Sequence, residues 1–308
     1  MYLLKIRSVI LFTFFCSLGF TQVASVNLSQ LEMQIDSLSI SLLGAQSTQE
    51  NQNAFREVNE LLLLASQHPD FANYPFTNLK AFVIVKHARF SIFTSMALLG
   101  DERVYYGGIF LNSPKKWIPL VQQDTDFQYF NSMESEAASW YGALYYDYYT
   151  FKCKRKEYFV LFGQREMDDV TAAKFADILV IQDEEISFGL PVFKDDLQGK
   201  IHHKYLVTYA KEAPIKFNYD PLESKIVFDH LIPMRSMYDS SRLVMVPDGS
   251  YSAFKLKRGW WVFESMLPVV PMDEAPRTQP VLDTRKNKDI LGRPTQKDAN
   301  RTPPDSSQ

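Results

Sequence analysis

The sequence predicts a mainly β protein: an antiparallel, hairpin-rich sheet or sandwich, preceded by an N-terminal helical hairpin and followed by a disordered C-terminal tail. Three observations carry that expectation. Between about Lys80 and Glu264 apolar and polar residues alternate with a period of two. The alternating runs come in pairs around Asn, Asp, Gly and Pro, the residues that reverse a chain. Aromatic residues make up 14% of the chain, and together with β-branched residues they fill the alternating runs, as strands require.

The first element is a targeting segment. Lys5 and Arg7 precede an apolar run from about Val9 to Phe20, and Val23, Ala24 and Ser25 offer small residues for cleavage. This pattern reads as a secretory signal peptide over residues 1–25. The run is shorter than the roughly 20 apolar residues of a membrane span, so no transmembrane segment is expected after cleavage. Cys16 lacks the small neighbours of a lipid-modified cysteine. Cleavage leaves Cys153 alone, which excludes a disulfide within one chain. Cys153 lies in "KCKRK", where the cations could make its thiol reactive; the plainer reading is a strand-end residue. The net charge of −3 becomes −5 once the two positive charges of Lys5 and Arg7 are gone. A mildly acidic chain is a poor partner for nucleic acid.

Residues 26–70 form the expected helical hairpin. Leu28, Leu31, Ile35, Leu38 and Leu42 step by three and four, and Phe55, Val58, Leu61, Leu62 and Ala65 do the same after a break at "GAQSTQEN". Pro69 stops the second helix.

Residues 71–268 form the expected β domain. In "PIKFNYDPLESKIVFDHL", Ile215, Phe217 and Tyr219 share a face; after Asp220-Pro221, Ile226, Phe228 and Ile232 take an inward register. "VYYGGIFLNSPKKWIPL" turns around Asn112, Ser113 and Pro114, and Pro119 puts the return strand near a sheet edge. In "PDGSYSAFKLKRGWWVFE", Asp248-Gly249 reads as a turn into a strand burying Phe254 and Leu256, and Lys257, Arg258 and Gly259 read as the next turn. Trp140, Leu144, Tyr146 and Tyr148 should point one way from their strand, and Tyr141, Ala143, Tyr145, Tyr149 and Phe151 the other. A strand apolar on both sides belongs between two layers. Residues 269–308, with scattered prolines and few large apolar side chains, read as the tail.

The stretches "SWYGALYYDYY", "YFVLFG", "FGLPVF", "YDPLESKIVFDHLIP" and "VPDGSYSAFKLKRGWWVF" resemble, in this order, a family of exported β-rich proteins of similar length from Bacteroidetes-type Gram-negative bacteria. The resemblance spans about Phe82 to Glu264 and implies export, with no catalytic role to carry over. Two departures stand out. Gly163 is followed by Gln164 and Arg165 instead of an aromatic-Asp-Gly loop, and Ser252 replaces an aspartate.

No phosphate loop, nucleophile elbow, zinc helix or dinucleotide turn is present. No metal or cofactor is therefore expected. His230 beside Asp229 is the candidate general base, although neighbouring strand residues point apart and its orienting acid must come from elsewhere. His203 shares a face with Ile201, Tyr205 and Val207 and reads as a core residue, whereas His202, Lys204 and Thr208 read as solvated. The pairs Asp124/Asp126, Asp168/Asp169 and Asp195/Asp196 lack calcium-loop spacing and read as solvated turns. Trp140, Tyr146, Trp260 and Trp261 are the candidate platforms for a sugar ring.

These readings support an exported, non-catalytic binding or scaffolding protein of the periplasm or cell surface, meeting an envelope protein through its helical hairpin or tail. The alternatives are a carbohydrate- or lipid-binding protein using exposed aromatics, with a glycan as partner, and a hydrolase around His230.

Overall fold

The structure is a computed structural model describing residues 27–44, 48–100, 102–123, 127–195, 199–237 and 241–267. The predicted signal peptide, the predicted tail, Asp124, Asp126 and Asp196 lie outside them. The chain divides into two units, Met1–Met266 and Leu267–Gln308, and every helix and strand described begins in the first.

Helix α1 (Leu28–Ser41) starts at Asn27, whose side-chain oxygen accepts from the Ser29 N–H at 3.0 Å. Helix α2 (Thr48–Ser66) follows. Their predicted stripes are the packing faces: Leu31, Ile35, Val58, Leu62 and Ala65 are buried against Phe93, Ala97, Tyr106 and Phe110 of the first sheet. That sheet runs in chain order through β1 (Val83–Lys86), β2 (Phe90–Leu99), β3 (Glu102–Asn112) and β4 (Lys115–Leu120). Pro119 lies on β4, the edge strand, where its missing N–H leaves no ladder unpaired.

The second sheet has the order β5 (Ser135–Glu136), β9 (Glu185–Phe188), β8 (Thr171–Gln182), β7 (Lys156–Glu166), β6 (Leu144–Cys153). The third joins β10 (Phe193–Asp195), β11 (Lys200–His202), β13 (Phe217–Asp220), β14 (Lys225–Arg235), β15 (Leu243–Lys257) and β16 (Trp260–Leu267). Strand β12 (Tyr205–Ala210) pairs with the first half of β8, next to the half that β9 takes. The registers described are antiparallel apart from β10 with β16 and an isolated parallel bridge between Gln122 and Trp140.

The layers stack as helices, sheet 1, sheet 2 and sheet 3. Along β7, Phe159 and Leu161 face sheet 1 while Val160 and Phe162 face sheet 3. Sheet 2 is therefore covered on both sides, which explains why its strands are apolar on both faces.

Three registers differ from expectation. One extra residue, Tyr146, is inserted in β6 between the pairs Tyr145–Gly163 and Asp147–Phe162. This bulge reverses the alternation, so Tyr145 and Tyr149 pack on opposite faces and Tyr146 shares its face with Tyr149. Asp248-Gly249 is no hairpin turn, because β15 runs on from Leu243 to Lys257 and Asp248, Gly249 and Ser250 bulge opposite His230. Past that bulge the alternation along β14 is reversed, so Leu231 packs inward and Ile232 is left 37% exposed.

Candidate functional site

The sequence-predicted platforms lie mostly inside. Trp140 and Trp261 are 0% exposed, the first between sheets 1 and 2 and the second between sheets 2 and 3. Neither can offer a face to a sugar, because close packing against other rings gains more than exposure. Tyr146 is half-buried, donates its hydroxyl hydrogen to the Phe217 carbonyl and lies 5.5 Å from the Lys174 ammonium. Trp260 keeps partial exposure.

His230 does not meet Asp229. The Asp229 carboxylate accepts from the Lys216 N–H, while His230 Nδ1 sits 2.9 Å from Asp248 Oδ2, brought opposite it by the β15 bulge. The Ser250 hydroxyl, 2.7 Å away, donates to Asp248 and not to the imidazole. An acid thus stands between serine and histidine, and the imidazole bonds no hydroxyl among the described residues. The Ser250 hydroxyl and N–H, then His230, pull the Asp248 pKa down to about 2. Because the folded value lies below the unfolded one of about 3.9, this stabilisation is present above pH 4 and lost as pH falls from about 4 to about 2. Asp248→Asn should flatten that part of the acid-unfolding profile. A carboxyl carbon of Asp248 titrating near pH 4 by NMR would refute the bridge.

Of the described members of the acidic pairs, Asp168 closes a turn and Asp169 makes an ion pair, whereas Asp195, expected in a solvated turn, is buried because it ends strand β10, paired with Lys200 of β11. Burial would raise the Asp168 pKa, but Arg242, the Thr171 hydroxyl and the N–H groups of Val170 and Thr171 hold it well below the usual range. Asp169 pairs with Arg103 at 3.0 Å. No group of three or more metal-ligating side chains is found among the described residues. Nor is any described helix long and apolar enough to cross a membrane.

Two charged features in the core escaped the sequence reading. Lys204, expected in solvent, is fully buried. It falls in the bend between β11 and β12, so strand alternation does not govern it. Its ammonium donates to Ser135 Oγ at 2.9 Å, lies 3.9 Å from Asp177 Oδ2 and sits 4.2 Å from the Tyr141 ring centre. Gly189 (φ +98°) makes room, since a Cβ there would come within 3.1 Å of Lys204 Cε and 2.7 Å of the Met133 carbonyl oxygen. Asp177 also accepts from Tyr141, whose hydroxyl is 2.6 Å from that of Tyr145; Trp140 donates its indole N–H to Tyr145 at 3.3 Å. Burial pushes Asp177 up and Lys204 down, each partly offset by the other. The quoted "SWYGALYYDYY" is thus the wall of a buried polar cluster.

The second feature is Arg165. It continues the inward row Phe159, Leu161, Gly163 along β7, so the strand aims a cation between sheets 1 and 2. Its guanidinium carbon lies 4.4 Å from the Phe127 ring centre and 5.0 Å from that of Tyr105. Nη1 donates to the carbonyls of Tyr141 and Gly142, the latter at 3.1 Å. Nε is buried and has no partner. No carboxylate pairs with Arg165 among the described residues, and burial pushes its pKa down. A cavity of about 240 Å³ opens here, where β6 begins and no longer covers β7, lined in part by Met96, Tyr105, Leu144, Ala172 and Tyr209. At its rim Glu166 accepts from Arg103 at 2.8 Å and Lys211 at 2.6 Å.

A larger, open groove of about 890 Å³ follows the edges of β4, β5 and β9. Its lining holds Glu134, Glu136, Asp183, Glu184, Glu185 and Lys116 but no aromatic ring on which a sugar could stack.

Comparison with family models, curated proteins and solved structures finds no match.

Proposed function

We propose that this chain is an exported, non-catalytic binding protein of the bacterial envelope whose ligand is a small anion held by Arg165. One observation carries the reading: a mostly buried guanidinium, without a carboxylate partner or a bond to Nε among the described residues, stands beside a cavity. A desolvated cation is costly unless paired, and an arriving anion supplies the pair. Export is supported by the cationic, apolar N-terminal segment and by the family resemblance. The non-catalytic reading is supported by His230, whose partner is an acid and not a nucleophile.

Ligand binding to the folded state alone raises stability, by about 2.7 kcal/mol at 100 times Kd. Acetate, phosphate and sulfate, compared at constant ionic strength, should therefore include at least one anion that raises the melting temperature. Arg165→Gln should abolish the response. An identical response in that variant, or none to any anion in the natural chain, would end the proposal.

A further inference from the structure

We infer that the Arg165 cavity takes a small monocarboxylate with a short hydrocarbon body, an inference that rests on the anion-site reading above. The charge count selects a single negative charge. At the rim two cations, Arg103 and Lys211, face two carboxylates, Glu166 and Asp169, in contacts of 2.6 to 3.0 Å. Those charges cancel and leave Arg165 in excess by one. A phosphate dianion would overshoot and place surplus negative charge near Glu166.

Donor geometry leaves one nitrogen for the head group. Nη1 is used by two backbone carbonyls and Nε is enclosed, so neither reaches a ligand. The remaining nitrogen, Nη2, can donate to an oxygen of a carboxylate while the guanidinium charge pairs with it.

The walls select the tail. Met96, Leu144, Ala172 and the Tyr209 and Tyr105 side chains are apolar or aromatic and give a hydrocarbon chain a place to leave water. Size then limits its length. A volume of about 240 Å³ divided by about 30 Å³ per water-sized unit leaves room for roughly six to eight non-hydrogen atoms, the size of butyrate to hexanoate.

Titration calorimetry on the whole chain, using acetate, butyrate, hexanoate, octanoate and inorganic phosphate, tests this. Affinity should rise about fourfold per added methylene from acetate to hexanoate and then level off at octanoate. Phosphate should bind more weakly than butyrate. Arg165→Gln should weaken hexanoate at least tenfold, and Leu144→Ala should flatten the chain-length series while leaving acetate unchanged. Equal binding of acetate, hexanoate and phosphate, all sensitive to Arg165→Gln, would overturn the ligand class and leave an anion site. Binding of none of them would overturn both. Hexanoate binding that ignores Arg165→Gln would place the ligand elsewhere and also refute the inference.

Discussion

Lys204→Met is expected to destabilise the protein by about 3–5 kcal/mol at neutral pH, the loss that follows when one member of a buried ion pair is removed. The substitution keeps most of the volume and apolar contact of the side chain. What it removes is the charge 3.9 Å from Asp177, together with the hydrogen bond to Ser135. Asp177 then has two courses. It can stay ionised without its cation, or it can take a proton, which costs about 4 kcal/mol at pH 7 because that pH is about three units above the unfolded pKa of an aspartate. The pH dependence distinguishes this from a packing defect. Burial already raises the folded pKa of Asp177, and removing Lys204 raises it further. The variant's stability is therefore fully present below the unfolded pKa, near 4, and is lost as pH rises toward the folded value. Urea unfolding across pH 4 to 8 should show a deficit that is smallest near pH 4 and grows with pH. A deficit independent of pH would mean that charge plays no part.

Gly107→Ala should cost about 3–5 kcal/mol. A Cβ at Gly107 would lie 1.9 Å from the Phe93 carbonyl oxygen and 3.1 Å from Thr94 Cα, so the obstruction is backbone of the paired strand. No rotamer change relieves it, and β2 and β3 must separate. Overpacking of this kind costs about 1–3 kcal/mol or more. The φ of +143°, which L side chains rarely adopt, adds about 1–3 kcal/mol. Gly249→Ala is the control, because its φ is +89° but nothing lies within 4 Å of the new Cβ. It should show the backbone contribution alone, about 1–3 kcal/mol. Equal urea midpoints for the two variants would show that the close approach of β2 to β3 is not what requires a glycine.

Much of the architecture was legible along the chain. The stripes of α1 and α2 are buried as the three-and-four spacing implies, and the turns at Asn112 to Pro114 and Lys257 to Gly259 join paired strands. The two-sided apolar character of the β6 stretch correctly implied a covered sheet. The bulges were not legible. An extra residue at Tyr146 leaves every neighbouring residue type unchanged and shifts only the pairing, which depends on the partner strand.

The candidate sites were less visible. Asp177, between Phe175 and Leu179, and Arg165, two steps beyond Gly163, are charges in inward positions, and that is a signal in the sequence. Periodicity can say that such a charge faces inward; it cannot say what waits there. Lys204 gave no such signal, since it sits in a bend where alternation has no meaning.

By itself, the sequence determined what depends on neighbours in the chain: helix stripes, strand alternation, turn chemistry and the order of elements. Those follow from backbone geometry and from which side chains leave water. Only the tertiary structure decided that Ser135, Asp177 and Lys204 meet in the core and that Arg165 meets no carboxylate among the described residues. Desolvation and Coulomb interaction act over a few ångströms of space, whatever the separation along the chain.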